Sequence, residues 1–71
     1  MIMGFKDLQI GQRFTRSNWQ SVHQKIDPET NDGWTMVEIY PPTGIKSKLR
    51  PYEDAGLICV DDDWEYVPGY D

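Results

Sequence analysis

Cys59 and His23 are the two side chains in this sequence whose types most often serve as a nucleophile and a general base. Each is the only residue of its kind among the 71 residues. A cysteine nucleophile requires a base and an oxyanion-binding group beside it, and the spacing of these two residues predicts no such arrangement. Cys59 lies in the apolar run LICV, typical of a small buried residue, and His23 falls on the polar face of a predicted strand, where we expect it to be solvated. We therefore predict that the protein is not an enzyme.

Three consecutive aspartates, Asp61, Asp62 and Asp63, could offer carboxylate oxygens to a hard cation. Calcium-binding loops alternate their ligands over about twelve residues with a glycine at the sharp turn, and three consecutive residues cannot all point inward. A zinc site requires about four Cys or His ligands. We expect no metal and no cofactor, and we interpret the three aspartates as a solvated hairpin tip that forms a secondary acidic surface.

The charges of the chain are unevenly distributed along it. The net charge is −5, yet residues 1–50 hold seven basic and five acidic residues, whereas residues 51–71 hold seven acidic and no basic ones. Net negative charge disfavours a nucleic-acid footprint over the whole domain, although it leaves room for a local basic stripe. The most general interpretation of the acidic end is that it keeps the protein soluble.

The length and the cysteine content limit the class of protein. A chain of 71 residues is expected to be a single domain, residues 1–71, with a small core. One cysteine permits no internal disulfide, which fits a reducing compartment. No apolar run approaches the ~18 residues of a membrane span, and the opening MIMGFKDLQIG is too quickly acidic for a signal peptide. We expect a cytoplasmic protein that does not enter a membrane.

The pattern along the chain predicts a mainly β fold. Gly11 indicates a turn into the first strand, and DPETNDG carries a dense turn signal. RPYEDAG predicts one short helical turn that begins at Pro51 and ends at Gly56. We predict a small SH3-like barrel, or alternatively an OB-like barrel, of about five to six antiparallel strands. Strands are predicted at residues 12–16, 20–26, 34–39 and 45–50, with a final hairpin at 56–67.

Nine aromatic residues are more than so small a core can hold. We assign Phe5, Phe14, Trp64 and Tyr66 to the core. The final hairpin would pair Val60 with Trp64 and Ile58 with Tyr66 on one face.

The register of the hairpin formed by WTMVEI and IKSKLR decides which side chains face solvent, because a slip of one residue exchanges the two faces. A five-residue loop, YPPTG, would set Ile39 opposite Ile45 and Val37 opposite Ser47, and a further pair, Thr35 and Leu49, would complete that apolar face. The other face would pair Glu38 with Lys46, Met36 with Lys48, and Trp34 with Arg50.

This second face is our candidate partner-binding surface. Trp34 could instead form a local cation–π contact with Arg50, and the two interpretations remain open at this stage. Tryptophan and arginine are enriched among binding hot spots, and methionine adapts to irregular partners. The predicted binding residues are Trp34, Met36, Glu38, Tyr40, Lys46, Lys48 and Arg50.

The opening of the chain resembles that of a group of known small proteins. The pattern F-x-D-L-x-x-G-x-x-F is formed by Phe5, Asp7, Leu8, Gly11 and Phe14, and V-x-x-K-I follows at residues 22–26. Together they resemble small barrel-like proteins encoded by bacteriophages and some bacteria, over the first third of the chain. The resemblance implies an accessory protein that binds a host or phage macromolecule, and it implies no catalytic residues.

Two functions are therefore expected from the sequence. The first is a protein-interaction module, a viral accessory protein that binds or inhibits a host protein, since a face with charges of both signs can match a protein patch. The alternative is binding of single-stranded nucleic acid through basic and aromatic residues. The sequence does not identify the partner, the process or the oligomeric state.

Overall fold

The computed structural model describes residues 2–61, which form one antiparallel sheet of six strands. Two short 3-10 turns, Phe5–Asp7 and Pro51–Glu53, interrupt the strands, so the predicted mainly β fold with a short helical turn is confirmed. No helix in this part of the chain is long and apolar enough to cross a membrane. The strands are β1 (Ile2–Met3), β2 (Arg13–Arg16), β3 (Val22–Lys25), β4 (Met36–Tyr40), β5 (Lys46–Ser47) and β6 (Leu57–Val60).

The spatial order of the strands is β1-β6-β2-β3-β4-β5. β6 therefore lies between β1 and β2 and pairs antiparallel with both. Within residues 2–61, β1 and β5 are the two edges, and the sheet does not close into a complete barrel. The strand β1 was not predicted, since two residues are too few to show alternation. In the predicted final hairpin, only the first strand falls within the described residues; Trp64 and Tyr66 lie outside them.

The core lies on the face of the sheet that carries Phe14. The side chains of Phe14 and Leu57 are completely buried. Phe5 packs edge-on against Phe14 with the ring centroids 5.7 Å apart, which confirms that both phenylalanines belong to the core. Cys59 packs against the same cluster and is only partly buried, with its Sγ atom 3.1 Å from Sδ of Met3.

Lys25 fastens the N-terminal segment to the sheet. Its Nζ atom donates to the backbone carbonyls of Phe5, at 2.8 Å, and Leu8, at 2.7 Å, and lies 4.5 Å from the centroid of the Phe5 ring. The N–H of Gly11, whose φ is +95°, donates to the carbonyl of Lys25 at 2.8 Å. Four of the residues on which the family resemblance rests therefore hold this segment against β3: Phe5, Leu8, Gly11 and Lys25.

The predicted register of β4 and β5 is wrong by one residue. Met36 lies opposite Ser47 and Val37 opposite Lys46. Met36 is consequently buried in the core, at 6% exposure, whereas Ile45 is 61% exposed. The predicted pairs between Ile39 and Ile45, between Val37 and Ser47, and between Thr35 and Leu49 are absent from this register. β5 is also shorter than the predicted strand of residues 45–50.

The connection between β4 and β5 explains this register. The hydroxyl of Thr43 donates to Oε1 of Glu38 at 2.6 Å, and the N–H of Gly44 donates to the carbonyl of Glu38 at 3.1 Å. The N–H of Glu38 in turn donates to the carbonyl of Ile45 at 2.9 Å. Glu38 is thus held opposite Ile45 by three hydrogen bonds, and the cross-strand pair predicted between Glu38 and Lys46 does not form.

Candidate functional site

His23 is buried, contrary to the predicted solvated position. It is 9% exposed, with its ring centroid 5.0 Å from that of Trp19 and 6.1 Å from that of Phe14. The alternation predicted for β3 is wrong at its start, because Val22 and His23 are both buried and the register of the sheet shifts between them. The Nδ1 atom has no hydrogen-bond partner among the described residues. Burial lowers the pKa of His23 below its usual value of 6.5, against the smaller opposing effects of Glu38 and then Glu53.

The buried position of His23 predicts that the folded protein is less stable at acidic pH. Because the pKa of His23 is lower in the folded than in the unfolded chain, the unfolded chain binds more protons. Stability is therefore present above pH ~6.5 and is lost as the pH falls from there through the lower folded-state pKa. We expect urea unfolding at pH 7 and pH 5 to show a larger loss for the wild type than for His23→Phe. Equal losses in the two proteins would contradict the assignment of His23 as buried and neutral.

Trp34 is the largest exposed side chain near β5. It lies just before β4 and is 42% exposed, in agreement with the prediction that it faces solvent. The Nζ atom of Lys48 is 5.7 Å from the centroid of its ring, so the cation–π partner is Lys48 and not Arg50. The contact leaves much of the indole exposed.

The seven predicted binding residues do not form one surface. Met36 belongs to the core, so its assignment to the binding surface is wrong. Tyr40 is only partly exposed at the end of β4, and the carboxylate of Glu38 is engaged by Thr43. The four remaining predicted residues are exposed and lie together along the hairpin: Trp34, Lys46, Lys48 and Arg50.

Two exposed apolar side chains beside these residues were missed. Ile45, at 61% exposure, precedes β5, and Tyr52, at 69%, belongs to the second 3-10 turn. The hydroxyl of Tyr52 accepts a hydrogen bond from the Arg50 guanidinium at 3.1 Å, and this bond raises the pKa of Arg50. Ile45 was assigned to the core by the incorrect register, and no sequence signal distinguished Tyr52 from a core aromatic. We use the name basic edge face for the six exposed residues around β5 and the second 3-10 turn: Trp34, Ile45, Lys46, Lys48, Arg50 and Tyr52.

The second 3-10 turn fixes the end of this face. The predicted helical turn at Pro51 is confirmed. The N–H of Arg50 donates to Oε1 of Glu53 at 2.9 Å, and the N–H of Glu53 donates to the carbonyl of Arg50 at 2.8 Å. Gly56, with a φ of +76°, then redirects the chain into β6. The backbone that presents Arg50 is thereby held in a defined position.

An open cleft of about 360 Å³ adjoins the basic edge face. Its lining is mostly apolar and includes three charged residues, Lys48, Arg50 and Asp54. Such a site can accept an apolar side chain and pair with a neighbouring acidic group. The lining residues are Phe5, Thr35, Lys48, Leu49, Arg50, Pro51 and Asp54.

Of the predicted secondary acidic surface, only Asp61 falls within the described residues. Asp61 is exposed directly after β6. Asp62 and Asp63 lie outside the described residues, so the acidic hairpin tip stays a prediction.

Comparison of the chain with protein-family models, with curated proteins and with solved structures found no match.

Proposed function

We propose that the protein is a non-enzymatic interaction module that binds another protein through the basic edge face. The observation that supports this proposal is the exposure of Trp34 at 42%, with a lysine amine fixed over its ring. Exposed apolar side chains that are scattered singly need no explanation. Here three of the four large exposed hydrophobic side chains of the described residues fall within residues 34–52, around β5 and the second 3-10 turn: Trp34, Ile45 and Tyr52.

The residue types of the basic edge face are those that are common in protein interfaces. Trp, Tyr and Arg are the residue types most enriched among hot spots. Because Lys48 restrains Trp34 and Tyr52 restrains Arg50, less side-chain entropy would be lost when a partner binds. The family resemblance extends the proposal to a phage-borne accessory protein that binds or inhibits a host protein in the cytoplasm.

Substitution of Trp34→Ala together with Lys48→Glu is expected to reduce capture of the partner by about tenfold or more, because it removes a hot-spot aromatic and reverses a charge. The measurement is a quantitative pull-down from bacterial lysate, read by mass spectrometry against the wild-type bait. The matched control is Ser17→Asp with Asn18→Asp, two exposed positions in the turn between β2 and β3. It changes the net charge by the same two units and should capture normally.

The outcome depends on both variants remaining folded, which circular dichroism and urea unfolding establish. Unchanged capture by the Trp34 and Lys48 variant would overturn the proposed face and direct attention to the acidic residues around Asp62. Equal loss in the control would show that net charge alone governs the interaction.

A second function is supported by one specific observation, the alternation of three cations along residues 46–50 beside an exposed indole. Single-stranded nucleic acid binds to surfaces of this kind by stacking bases on aromatic rings. Fluorescence anisotropy with labelled oligothymidylate at low and high salt tests it. Binding that weakens steeply with salt would favour this function over the first.

A further inference from the structure

Among residues 2–61, no strand pairs with the outer edge of β5. β5 is the last strand in the described sheet and pairs only with β4 there. The carbonyls of Ile45 and Ser47 accept hydrogen bonds from the N–H groups of Glu38 and Thr35, at 2.9 and 3.1 Å. Since successive residues of a strand direct their backbone groups to opposite sides, the N–H and C=O of Lys46 point away from β4.

The exposure pattern shows that the strand-like alternation continues beyond the two residues of β5. Lys46, Lys48 and Arg50 are exposed, while Ser47 and Leu49 between them are partly buried, and Leu49 packs against the core. Three cations therefore stand at every second position over about 13 Å of chain. An extended partner strand has its side chains at the same spacing.

We infer that the segment bound by the basic edge face is an extended acidic strand of a partner protein, which pairs with the outer edge of β5 and sets carboxylates opposite Lys46, Lys48 and Arg50. This inference rests on the proposed function and names the chemistry of the partner. Main-chain hydrogen bonds to Lys46 supply affinity, and the alternating charges supply specificity.

Charge selects the acidic strand over the other occupants of an open edge. Two copies of this chain paired through β5 would bring lysines opposite lysines, which is unfavourable across strands. Lysine on an edge strand is also a common protection against indiscriminate pairing. The three alternating cations also disfavour basic and neutral partner strands, because they complement a strand with a carboxylate at every second position.

The test uses the full-length protein and a fluorescein-labelled heptapeptide of alternating glutamate and valine, acetylated and amidated at its ends. We expect saturable binding in anisotropy titrations, and slower hydrogen exchange of the Lys46 N–H in the ¹⁵N-labelled protein when the peptide is bound. The same peptide with lysine in place of glutamate should not bind. The double variant Lys46→Gln with Lys48→Gln should bind the acidic peptide about tenfold more weakly or worse.

The Ser17→Asp and Asn18→Asp variant is again the matched control, since it lowers the net charge by the same two units, and its affinity should equal that of the wild type. A second arm separates strand pairing from simple charge attraction. N-methylation of the peptide amide that donates to the Lys46 carbonyl should weaken binding by about tenfold, because it removes one backbone hydrogen bond and adds a clash. N-methylation at the next residue, whose N–H faces away, should be tolerated.

Several results would overturn the inference. The first two are that the acidic peptide does not bind, or that both N-methylated peptides bind with equal affinity. The others are that oligothymidylate binds more tightly to the same residues, or that the protein sediments as a dimer that the glutamine variant abolishes. Loss of partner capture in the Trp34 and Lys48 variant without any peptide binding would sink this inference and leave the proposed function standing. If that variant captures the partner normally and the peptide does not bind, both this inference and the proposed function are wrong.

Discussion

Replacement of Phe14 by alanine is expected to lower the free energy of unfolding by about 3–5 kcal/mol. The ring of Phe14 is fully buried and contacts the rings of Phe5, Trp19 and His23. Deleting it removes these contacts and leaves a cavity that four strands and the first 3-10 turn cannot fill by small movements. A domain of this length has a total stability of only about 4–11 kcal/mol, so the loss is a large part of it.

The measurement is urea unfolding followed by tryptophan fluorescence and circular dichroism. Tyr52→Ala is the matched control, because Tyr52 is 69% exposed and its loss should cost about 0.5 kcal/mol or less. If Phe14→Ala does not fold, Phe14→Leu keeps part of the volume and should give an intermediate loss. Similar stabilities for Phe14→Ala and Tyr52→Ala would contradict the central place of Phe14 in the core.

Replacement of Lys25 by methionine is expected to cost about 2–4 kcal/mol. The substitution keeps the aliphatic stem but removes the two charge-assisted hydrogen bonds to the carbonyls of Phe5 and Leu8, and the cation over the Phe5 ring. Those carbonyls lose their donor at a partly buried position. The N-terminal segment should then detach more readily from β3.

Lys6→Met is the matched control, since Lys6 is an exposed lysine in the first 3-10 turn, the segment that Lys25 contacts. It should change stability by about 0.5 kcal/mol or less. Hydrogen exchange offers a local readout, because the N–H of Leu8 donates to the carbonyl of Phe5 at 3.1 Å and should exchange faster in Lys25→Met. Unchanged exchange at Leu8, with equal stabilities of the two variants, would show that Lys25 does not hold this segment.

The sequence predicted those parts of the fold that depend on local backbone chemistry. Pro51 begins a helical turn because its fixed φ suits the first position, and Gly11 and Gly33 adopt the positive φ that their turns require. The alternation of apolar side chains located β2, β3, β4 and β6 to within about two residues. Each of these signals is contained within a few neighbouring residues.

Register and burial could not be predicted in the same way, because they depend on contacts between distant residues. Apolar matching favoured the pair of Ile39 with Ile45, whereas the hydrogen bonds from Thr43 and Gly44 to Glu38 fix a different pairing. His23 appeared polar by type, yet it is sheltered by Trp19 from the loop that follows β2. Four of the seven predicted binding residues are exposed despite the change in register: Trp34, Lys46, Lys48 and Arg50.

The position of β6 between β1 and β2 has a consequence for how the molecule is made. On the ribosome, β6 is synthesised after the other five strands, although it lies between β1 and β2 and pairs with both. Until residues 57–60 emerge, β2 lacks its partner on that side, and β1 lacks the one strand with which it pairs in the described sheet. The described sheet thus cannot grow outward from β1 during translation, and it is completed only after residues 57–60 have been synthesised.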